Sequence, residues 1–351
     1  KTGYTYNPLG ELLQSFEYDL ESGDGYAVDY SYDMAGRRTG IDSPDAGYIL
    51  FEYDPAGNLT RKVDPRLRAR GESINYSYDG HNRLSKVDYP RTEDTVFEYG
   101  GPGAAYNSAG RLTRQSDASG SLEYRYGLLG EVVRVDRRLK RHTPMAADKQ
   151  ASTLFVYDYL GRLEQIQYPD NEVVRYEYNR GGQVSGIHGS GRTETTYVEK
   201  ISYDEYGRRT GIHYGNGVST SYRYNPERHW LESIITKDPY RTREYQHINY
   251  RFDRAGNISE YTNNASAYEA VQVYTYDDLY QLKTAEGYYV HKPAGFTEYT
   301  SSYSQNFSYD TLGNCISKQS QFSRTPSETF SSDLNYNLGY TYYEKSPHRA
   351  E

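Results

Sequence analysis

Along this chain, rings recur two residues apart in short extended runs. Tyr4/Tyr6, Tyr30/Tyr32, Phe51/Tyr53, Tyr76/Tyr78, Tyr124/Tyr126 and Phe155/Tyr157 are such pairs, as are Tyr176/Tyr178, Tyr222/Tyr224, Tyr250/Phe252, Tyr274/Tyr276 and Phe307/Tyr309. Residues at i and i+2 of a strand share one face, so each run predicts a strand with an aromatic face. A turn signal follows, as in Phe155-Val-Tyr157-Asp158-Tyr-Leu-Gly161-Arg162-Leu163. Asp or Asn opens such a turn, and Gly closes it in the left-handed region, where a Cβ is penalised. Pro, favoured at the second turn position, stands there in Asn7-Pro8, Asp54-Pro55 and Asn225-Pro226. Alternation then resumes, as at Leu59, Arg61 and Val63. The predicted unit is a β-hairpin.

The closing position of this turn falls at Gly10, Gly36, Gly57, Asn82, Gly110, Gly130, Gly161, Gly182, Gly207, Arg228, Gly256, Tyr280 and Gly313. Thirteen copies at a fairly regular spacing mark a repeat array. Asn82 tolerates the left-handed region; Arg228 and Tyr280 do not, so altered turns are expected at both. A second set of turn signals, including Pro44-Asp-Ala-Gly47, Ser119-Gly120, Pro169-Asp-Asn171 and Gly215-Asn-Gly217, lies between the copies. The chain therefore reads as all-β: tandem hairpin repeats in one continuous antiparallel sheet. Open sheets beyond about 10 strands curl or split, and this one is expected to curl. Residues 1–351 read as a single array, cut from a larger protein, with long inter-repeat insertions at 136–152 and 284–302. Both insertions are expected to be loops or elongated hairpins. No long amphipathic helix is apparent.

Composition changes the picture of the core. The apolar fraction is 36%, and Tyr alone supplies 43 of the 351 residues. Mean hydropathy is −0.94, a value at home in disordered chains, but those are poor in aromatics and this chain is 15% aromatic. Tyr must serve as packing material, its ring covered and its hydroxyl finding a partner. A net charge of −8 argues against a nucleic-acid partner. No apolar run is long enough to span a membrane. Cys315 is the single cysteine, which excludes an internal disulfide framework.

The aromatic-x-Tyr-Asp-x-x-Gly-Arg pattern resembles the YD repeats of the Rhs/YD-repeat family, which includes bacterial Rhs toxins, the C component of Tc toxin complexes, the wall-associated protein and animal teneurins. The resemblance covers essentially the whole chain. Its repeat residues include Tyr32, Asp33 and Gly36; Tyr53, Asp54 and Gly57; Tyr157, Asp158 and Gly161; Tyr203, Asp204 and Gly207; and Tyr309, Asp310 and Gly313. The segment Tyr340 to Ala350, with Pro347-His348, is similar to the Pro-His form of the repeat. The resemblance implies a sheet that spirals into a hollow shell, or part of one, enclosing a C-terminal polypeptide or toxin domain of the parent chain. It further implies a secreted or cell-surface setting within a larger exported bacterial protein. The Asp-Pro-x-Gly cleavage signature of the toxin relatives is not evident: Asp54-Pro55-Ala-Gly57 is an ordinary repeat turn, and Asp64-Pro65 and Asp238-Pro239 lack the Gly.

The residues suggest no catalytic, cofactor or metal site, and an enzyme is not expected. His81, His142, His188, His213, His229, His247, His291 and His348 form no metal-ligand motif. Arg37, Arg111, Arg162 and Arg208 follow the turn Gly and are expected to stack on Tyr rings or pair with turn Asp. The basic run Arg137–His142 reads as a solvated loop. Two functions remain: a shell segment that encapsulates or scaffolds a linked polypeptide, or an extracellular adhesive surface on which stacked Tyr binds carbohydrate. Unpaired sheet edges predict self-association as well.

Overall fold

The computed structural model describes residues 2–18, 25–140, 148–191, 193–238, 240, 243–291, 299–310, 312–325, 334–343 and 346–350, with backbone alone at 18, 343 and 346–350. These residues form twenty-nine strands and one short helix, Pro65–Arg68, capped by the Asp64 side chain. Of the second set of turn signals, Ser22-Gly-Asp-Gly25 lies largely outside the described residues, and of the basic run expected as a loop, Arg137–Leu139 is instead the end of the strand Val132–Leu139, paired on both sides. Arg141 and His142 lie outside the described residues, as do the side chains of Pro347 and His348.

Two compact units divide the chain, residues 1–173 with 342–351, and residues 174–341. In the first unit, fourteen strands run from Thr2–Tyr6 to Leu163–Gln167, and each pairs antiparallel with the next in the chain. A separate two-stranded pair joins Tyr342–Tyr343 to Ser346–Ala350. In the second unit, twelve strands from Val184–Ser190 to Tyr336–Gly339 pair in the same consecutive way. The all-β reading and the tandem antiparallel hairpins are thus seen in both units. Connections of a few residues leave consecutive strands no other neighbour to choose.

Within the described residues the two long intervals are hairpins, paired along their length with the strands beside them. Val132–Leu139 pairs with Lys149–Tyr157 as far as Leu139 opposite Lys149. Leu282–His291 pairs with Tyr299–Tyr309 as far as His291 opposite Tyr299. Their tips, residues 141–147 and 292–298, lie outside the described residues.

The structure has little dry core. No described side chain is fully buried, and the buried apolar residues are small: Val63, Val87, Val174, Ile212, Ile248, Ala265, Ala270 and Ala285. Register shows what replaces it. In the second unit one row across the strands reads Tyr250, Tyr261, Gln272, Gly287, Tyr303 and Phe322. Tyr250 and Tyr261 pack with ring centroids 5.8 Å apart, and the Tyr303 ring lies where a Cβ on Gly287 would sit. The opposite face of Tyr299–Tyr309 and Cys315–Thr325 pairs Ser302 with Ser323, Ser304 with Gln321, Asn306 with Gln319 and Ser308 with Ser317. One face is aromatic and the other hydroxyl- and amide-bearing, which accounts for a folded chain of such low hydropathy.

A bulge falls just before the second ring of the pair at Ser31/Tyr32, Glu52/Tyr53, Ser77/Tyr78, Val156/Tyr157, Ser202/Tyr203, Thr275/Tyr276 and Ser308/Tyr309, among others. This is the bulge expected after a turn closed by a left-handed residue. The closing glycines have φ between 75° and 98°, and Asn82 has φ 59°. At Arg228 the turn is altered, as expected: it takes one more residue, so that His229 closes it at φ 60°, donating to the Asn225 carbonyl at 3.0 Å. At Tyr280 the expectation of an altered turn is overturned. Tyr280 N–H donates to the Asp277 carbonyl at 3.0 Å and Asp277 N–H to the Gln281 carbonyl at 3.0 Å, so the turn is regular and Tyr280 accepts φ 62°. The turn's hydrogen bonds outweigh the left-handed strain, about 1–2 kcal/mol for a residue with a Cβ.

In eight repeats the second ring of the pair ties the hairpin to the one before. The Tyr53 hydroxyl donates to the Arg38 carbonyl at 2.9 Å, Tyr78 to Leu59 at 2.9 Å, Tyr99 to Leu84 at 2.9 Å and Tyr126 to Leu112 at 2.6 Å. In the second unit, Tyr203 reaches Val184 at 2.7 Å, Tyr224 reaches Arg209 at 3.0 Å, Tyr276 reaches Ile258 at 2.9 Å and Tyr309 reaches Leu282 at 2.9 Å. The acceptor is always the residue two past the left-handed position of the preceding turn. Burial pushes the Tyr78, Tyr276 and Tyr309 phenols above their ordinary value, so they remain donors.

Replacing Tyr78 with Phe deletes one such bond and is expected to cost about 1 kcal/mol in urea-induced unfolding. Tyr6 lies on the first strand and is 60% exposed; Tyr6→Phe should change stability by less than about 0.5 kcal/mol. Equal losses at both positions would contradict the ladder. Tyr280→Asn, which relieves left-handed strain, is expected to raise stability by roughly 0.5–1 kcal/mol in the same assay; a loss would show that the Tyr280 ring contributes packing instead.

Candidate functional site

The recurring polar constellation of this chain is the turn itself. At Asp158, one carboxylate oxygen accepts from the N–H groups of Leu160 and Arg162, both at 2.9 Å. The other accepts from Arg162 Nε at 2.7 Å. Asp33 with Arg37, Asp79 with Arg83 and Asp204 with Arg208 repeat the arrangement, each with Nε to carboxylate at 2.7 Å. Asp therefore opens the turn because one carboxylate satisfies two backbone donors and still binds a side chain.

The structure places each repeat triad at one such turn. Gly36, Gly57, Gly161, Gly207 and Gly313 are the left-handed residues. Asp33, Asp54, Asp158, Asp204 and Asp310 are the carboxylates that accept from the turn's N–H groups. Tyr53, Tyr203 and Tyr309 bind the preceding hairpin, and Tyr32 and Tyr157 occupy the equivalent strand position. Triads stay separate, one per hairpin, and are linked by the residue after the glycine. Arg37 reaches the Asp54 carbonyl at 2.7 Å, Arg83 the Gly110 carbonyl at 2.9 Å. Their guanidiniums lie over the rings of the following repeat: Arg37 is 5.1 Å from the Tyr53 centroid, Arg83 is 4.2 Å from Tyr99 and Arg208 is 4.4 Å from Tyr224. Of the arginines expected to stack on Tyr or pair with turn Asp, Arg37 and Arg208 do both, Arg162 pairs with Asp158, and Arg111 lies over the Tyr126 ring at 5.6 Å.

Two features escaped the sequence reading. Where Arg is missing, an amide takes over its bond to the carboxylate: Asn58 to Asp54 at 2.9 Å, Asn257 to Asp253 at 2.8 Å and Asn314 to Asp310 at 2.7 Å. The signal was present, since the residue after the turn is repeatedly a long or amide donor. The Tyr hydroxyl acceptor had no signal, being a backbone carbonyl.

Electrostatics follow from this geometry. Hydrogen bonds from the Arg83 guanidinium, helped by backbone N–H groups against desolvation, hold Asp79 at about 2. The Arg37 N–H lowers Asp33, and the Asn58 and Asn257 amides lower Asp54 and Asp253. Among the described residues no group of three or more His, Cys, Asp or Glu is placed to hold a metal. The histidines are scattered: His247 faces Glu244 at 3.0 Å, and His229 packs on Tyr206 at 4.5 Å. No helix of the described residues is long and apolar enough to cross a membrane.

A carboxyl with a depressed folded-state value stabilises the fold above its unfolded value and loses that contribution on acidification. Unfolding midpoints should therefore fall as the pH drops from 3.8 through about 2. Asp79→Asn should lower stability near neutral pH and flatten this acid limb; a limb unchanged in the variant would remove Asp79 from the account.

Comparison with known proteins agrees with this arrangement. A family model described as RHS Repeat matches residues 53–94, which span the turns at Asp54 and Asp79. Toxin subunit YenC1 of Yersinia entomophaga is 28% identical over 196 residues, 48% of this chain and 19% of that protein. Toxin subunit YenC2 of the same organism is 25% identical over 289 residues, 68% of this chain and 29% of that protein. The chain thus spans under a third of the length of these relatives. The crystal structure of TcdB2-TccC3-Cdc42 has a similar fold, with a TM-score of 0.84 at 24% identity over 99% of this chain and 18% of that one. A Photorhabdus luminescens Tc holotoxin pore has a TM-score of 0.78 at 21% identity over 100% of this chain and 20% of that one. A bulged, Asp-opened turn in tandem, an RHS Repeat model that matches two of its copies and toxin-subunit relatives at 28% and 25% identity together make this chain similar to the Rhs/YD-repeat family.

Proposed function

We propose that the chain is a wall segment of a shell that encloses a linked polypeptide in an exported toxin assembly, and that it performs no reaction of its own. The observation that carries this reading is the linkage of each hairpin to its neighbour through a side chain on a backbone carbonyl, repeated along both units. Such linkage makes a self-supporting sheet without a second layer to cover it, which is what a thin wall requires. Toxin-subunit relatives several times longer than this chain support a role as one part of a larger particle. Exposed apolar side chains at neighbouring turn tips, Leu128 at 89%, Leu129 at 81% and Tyr159 at 88%, also suit a segment that meets other parts of an assembly. The carboxylates are engaged in turns, which leaves the structural role as the reading that uses the most residues.

Electron microscopy of the full parent protein, paired with limited proteolysis of its C-terminal segment, tests the proposal. The expected result is a hollow particle whose enclosed polypeptide resists protease until the shell is denatured. A compact particle with no cavity, or a C-terminal segment digested as fast as the free polypeptide, would overturn it.

A further inference from the structure

Among the described residues, an acid or amide one carbon from the backbone stands directly before a glycine at Asp79-Gly80 and at Asn216-Gly217. With no Cβ on the glycine to obstruct it, the glycine nitrogen of such a pair can attack the side-chain Cγ and close a five-membered succinimide. The structure treats the two pairs differently. Both oxygens of Asp79 are engaged: one accepts from the N–H groups of His81 at 2.8 Å and Arg83 at 3.0 Å, the other from Arg83 Nε at 2.7 Å. That clamp holds the carboxyl at about 2, so the group is ionised, pinned and unreactive towards an incoming nitrogen.

Asn216 has no such clamp. It is exposed in the turn between Arg209–Tyr214 and Ser219–Tyr224, and its Nδ2 has no hydrogen-bond partner among the described residues. By contrast, Asn58, Asn257 and Asn314 spend their amide nitrogens on turn carboxylates. The Asn216 Oδ1 accepts from the Val218 N–H at 3.1 Å. Negative charge develops on that oxygen as Cγ becomes tetrahedral, and a donor already aimed at it stabilises the intermediate. Gly217 N–H donates to the Tyr214 carbonyl at 2.9 Å, so attack waits on opening of this bond, and a short exposed turn at a sheet rim is among the first parts of a fold to open.

We propose that Asn216 is a spontaneous modification site at which the chain deamidates through a succinimide formed with Gly217. The Gly217 nitrogen bonds to Cγ, the Cγ–Nδ2 bond breaks, and the proton lost by Gly217 leaves on ammonia. Water then opens the ring. Cleavage of the nitrogen–Cγ bond gives aspartate; cleavage of the bond to the main-chain carbonyl carbon gives isoaspartate. The two products differ in their fit to the fold. Aspartate already serves at the equivalent position of the turn Tyr168–Glu172, where Asp170 accepts from the Glu172 N–H at 3.2 Å and Asn171 takes the left-handed conformation. Isoaspartate adds a main-chain atom and breaks the register of the Gly217 to Tyr214 and Tyr214 to Val218 bonds. The site is independent of the shell role.

Ageing the intact chain in mildly alkaline buffer, with peptide mapping by mass spectrometry and isoaspartyl methyltransferase labelling, tests the proposal. Asn216 is expected to convert ahead of every other asparagine, to both products, with no isoaspartate at Asp79. Asn216→Gln, which would need a six-membered ring, should abolish the signal. Asn216→Asp made directly should keep the urea midpoint of the fresh chain, whereas the isoaspartate fraction of the aged chain should unfold at lower urea. Arg83→Ala, which releases the Asp79 clamp, should make isoaspartate appear at Asp79-Gly80. Three results would overturn the proposal: Asn216 intact after another asparagine has converted, isoaspartate at Asp79 of the unaltered chain as fast as at Asn216, or none at Asp79 in a folded Arg83→Ala chain.

Discussion

A phenol reaching back across one hairpin is the contact on which the rest of this structure depends. Sheet hydrogen bonds alone join neighbouring strands but leave a single layer free to slip in register, because no buried face holds it. In eight repeats the hydroxyl of the second ring removes that freedom. It finds the carbonyl two residues past the preceding left-handed turn, and a slip by one residue would present no carbonyl at that point. The Arg after the turn acts in the other direction. It binds its own turn's carboxylate, reaches a carbonyl of the next turn and lies over the next ring. Each cation–π contact contributes about 0.5–1 kcal/mol at an exposed site, and the hydrogen bonds about as much again. Individually these are small; repeated along the chain they replace a core.

This arrangement explains why tyrosine and not leucine is the common large residue. A strand with one packed face and one wet face needs a ring wide enough to touch its neighbours and a polar end that can be satisfied at the rim. Tyr250, Tyr274 and Tyr303, whose phenols are raised by burial, show the ring half of that requirement. Tyr53 and Tyr99, bonded to carbonyls, show the hydroxyl half. Stability in such an array is a sum of units and nearest-neighbour contacts, so one altered unit need not unfold its neighbours. That tolerance is what lets the Asn225–Trp230 turn carry an extra residue, a left-handed His229 and a tryptophan in place of a donor. Trp230 keeps the linking task, lying 3.1 Å from where a Cβ on Gly256 in the next turn would sit.

Tyr280 makes the complementary point. By propensity it should have broken its turn, and it did not, because Asp277 supplies the same carbonyl and carboxylate acceptors as every other copy. The turn is specified by the acidic residue that opens it more than by the residue that closes it. Asn82 and Tyr280 fill the closing position with different success in local energy and the same backbone outcome.

What the sequence determined by itself is the hairpin, its turn, its spacing and its consecutive pairing, because each rests on residues within a few positions of one another: ring at i, ring at i+2, Asp next, Gly three further on. The amino-acid order also exposed the donor after the turn, although only its arginine form was read. The tertiary structure alone decided which carbonyl each tyrosine would meet, that His229 and not Arg228 would close the enlarged turn, and that Trp230, Tyr250 and Phe252 would share one groove with Arg228 and Arg254. Backbone acceptors look alike in every sequence, and side chains from successive hairpins become neighbours only once register and bulge are set; a pattern of letters does not contain that distance until the sheet has formed.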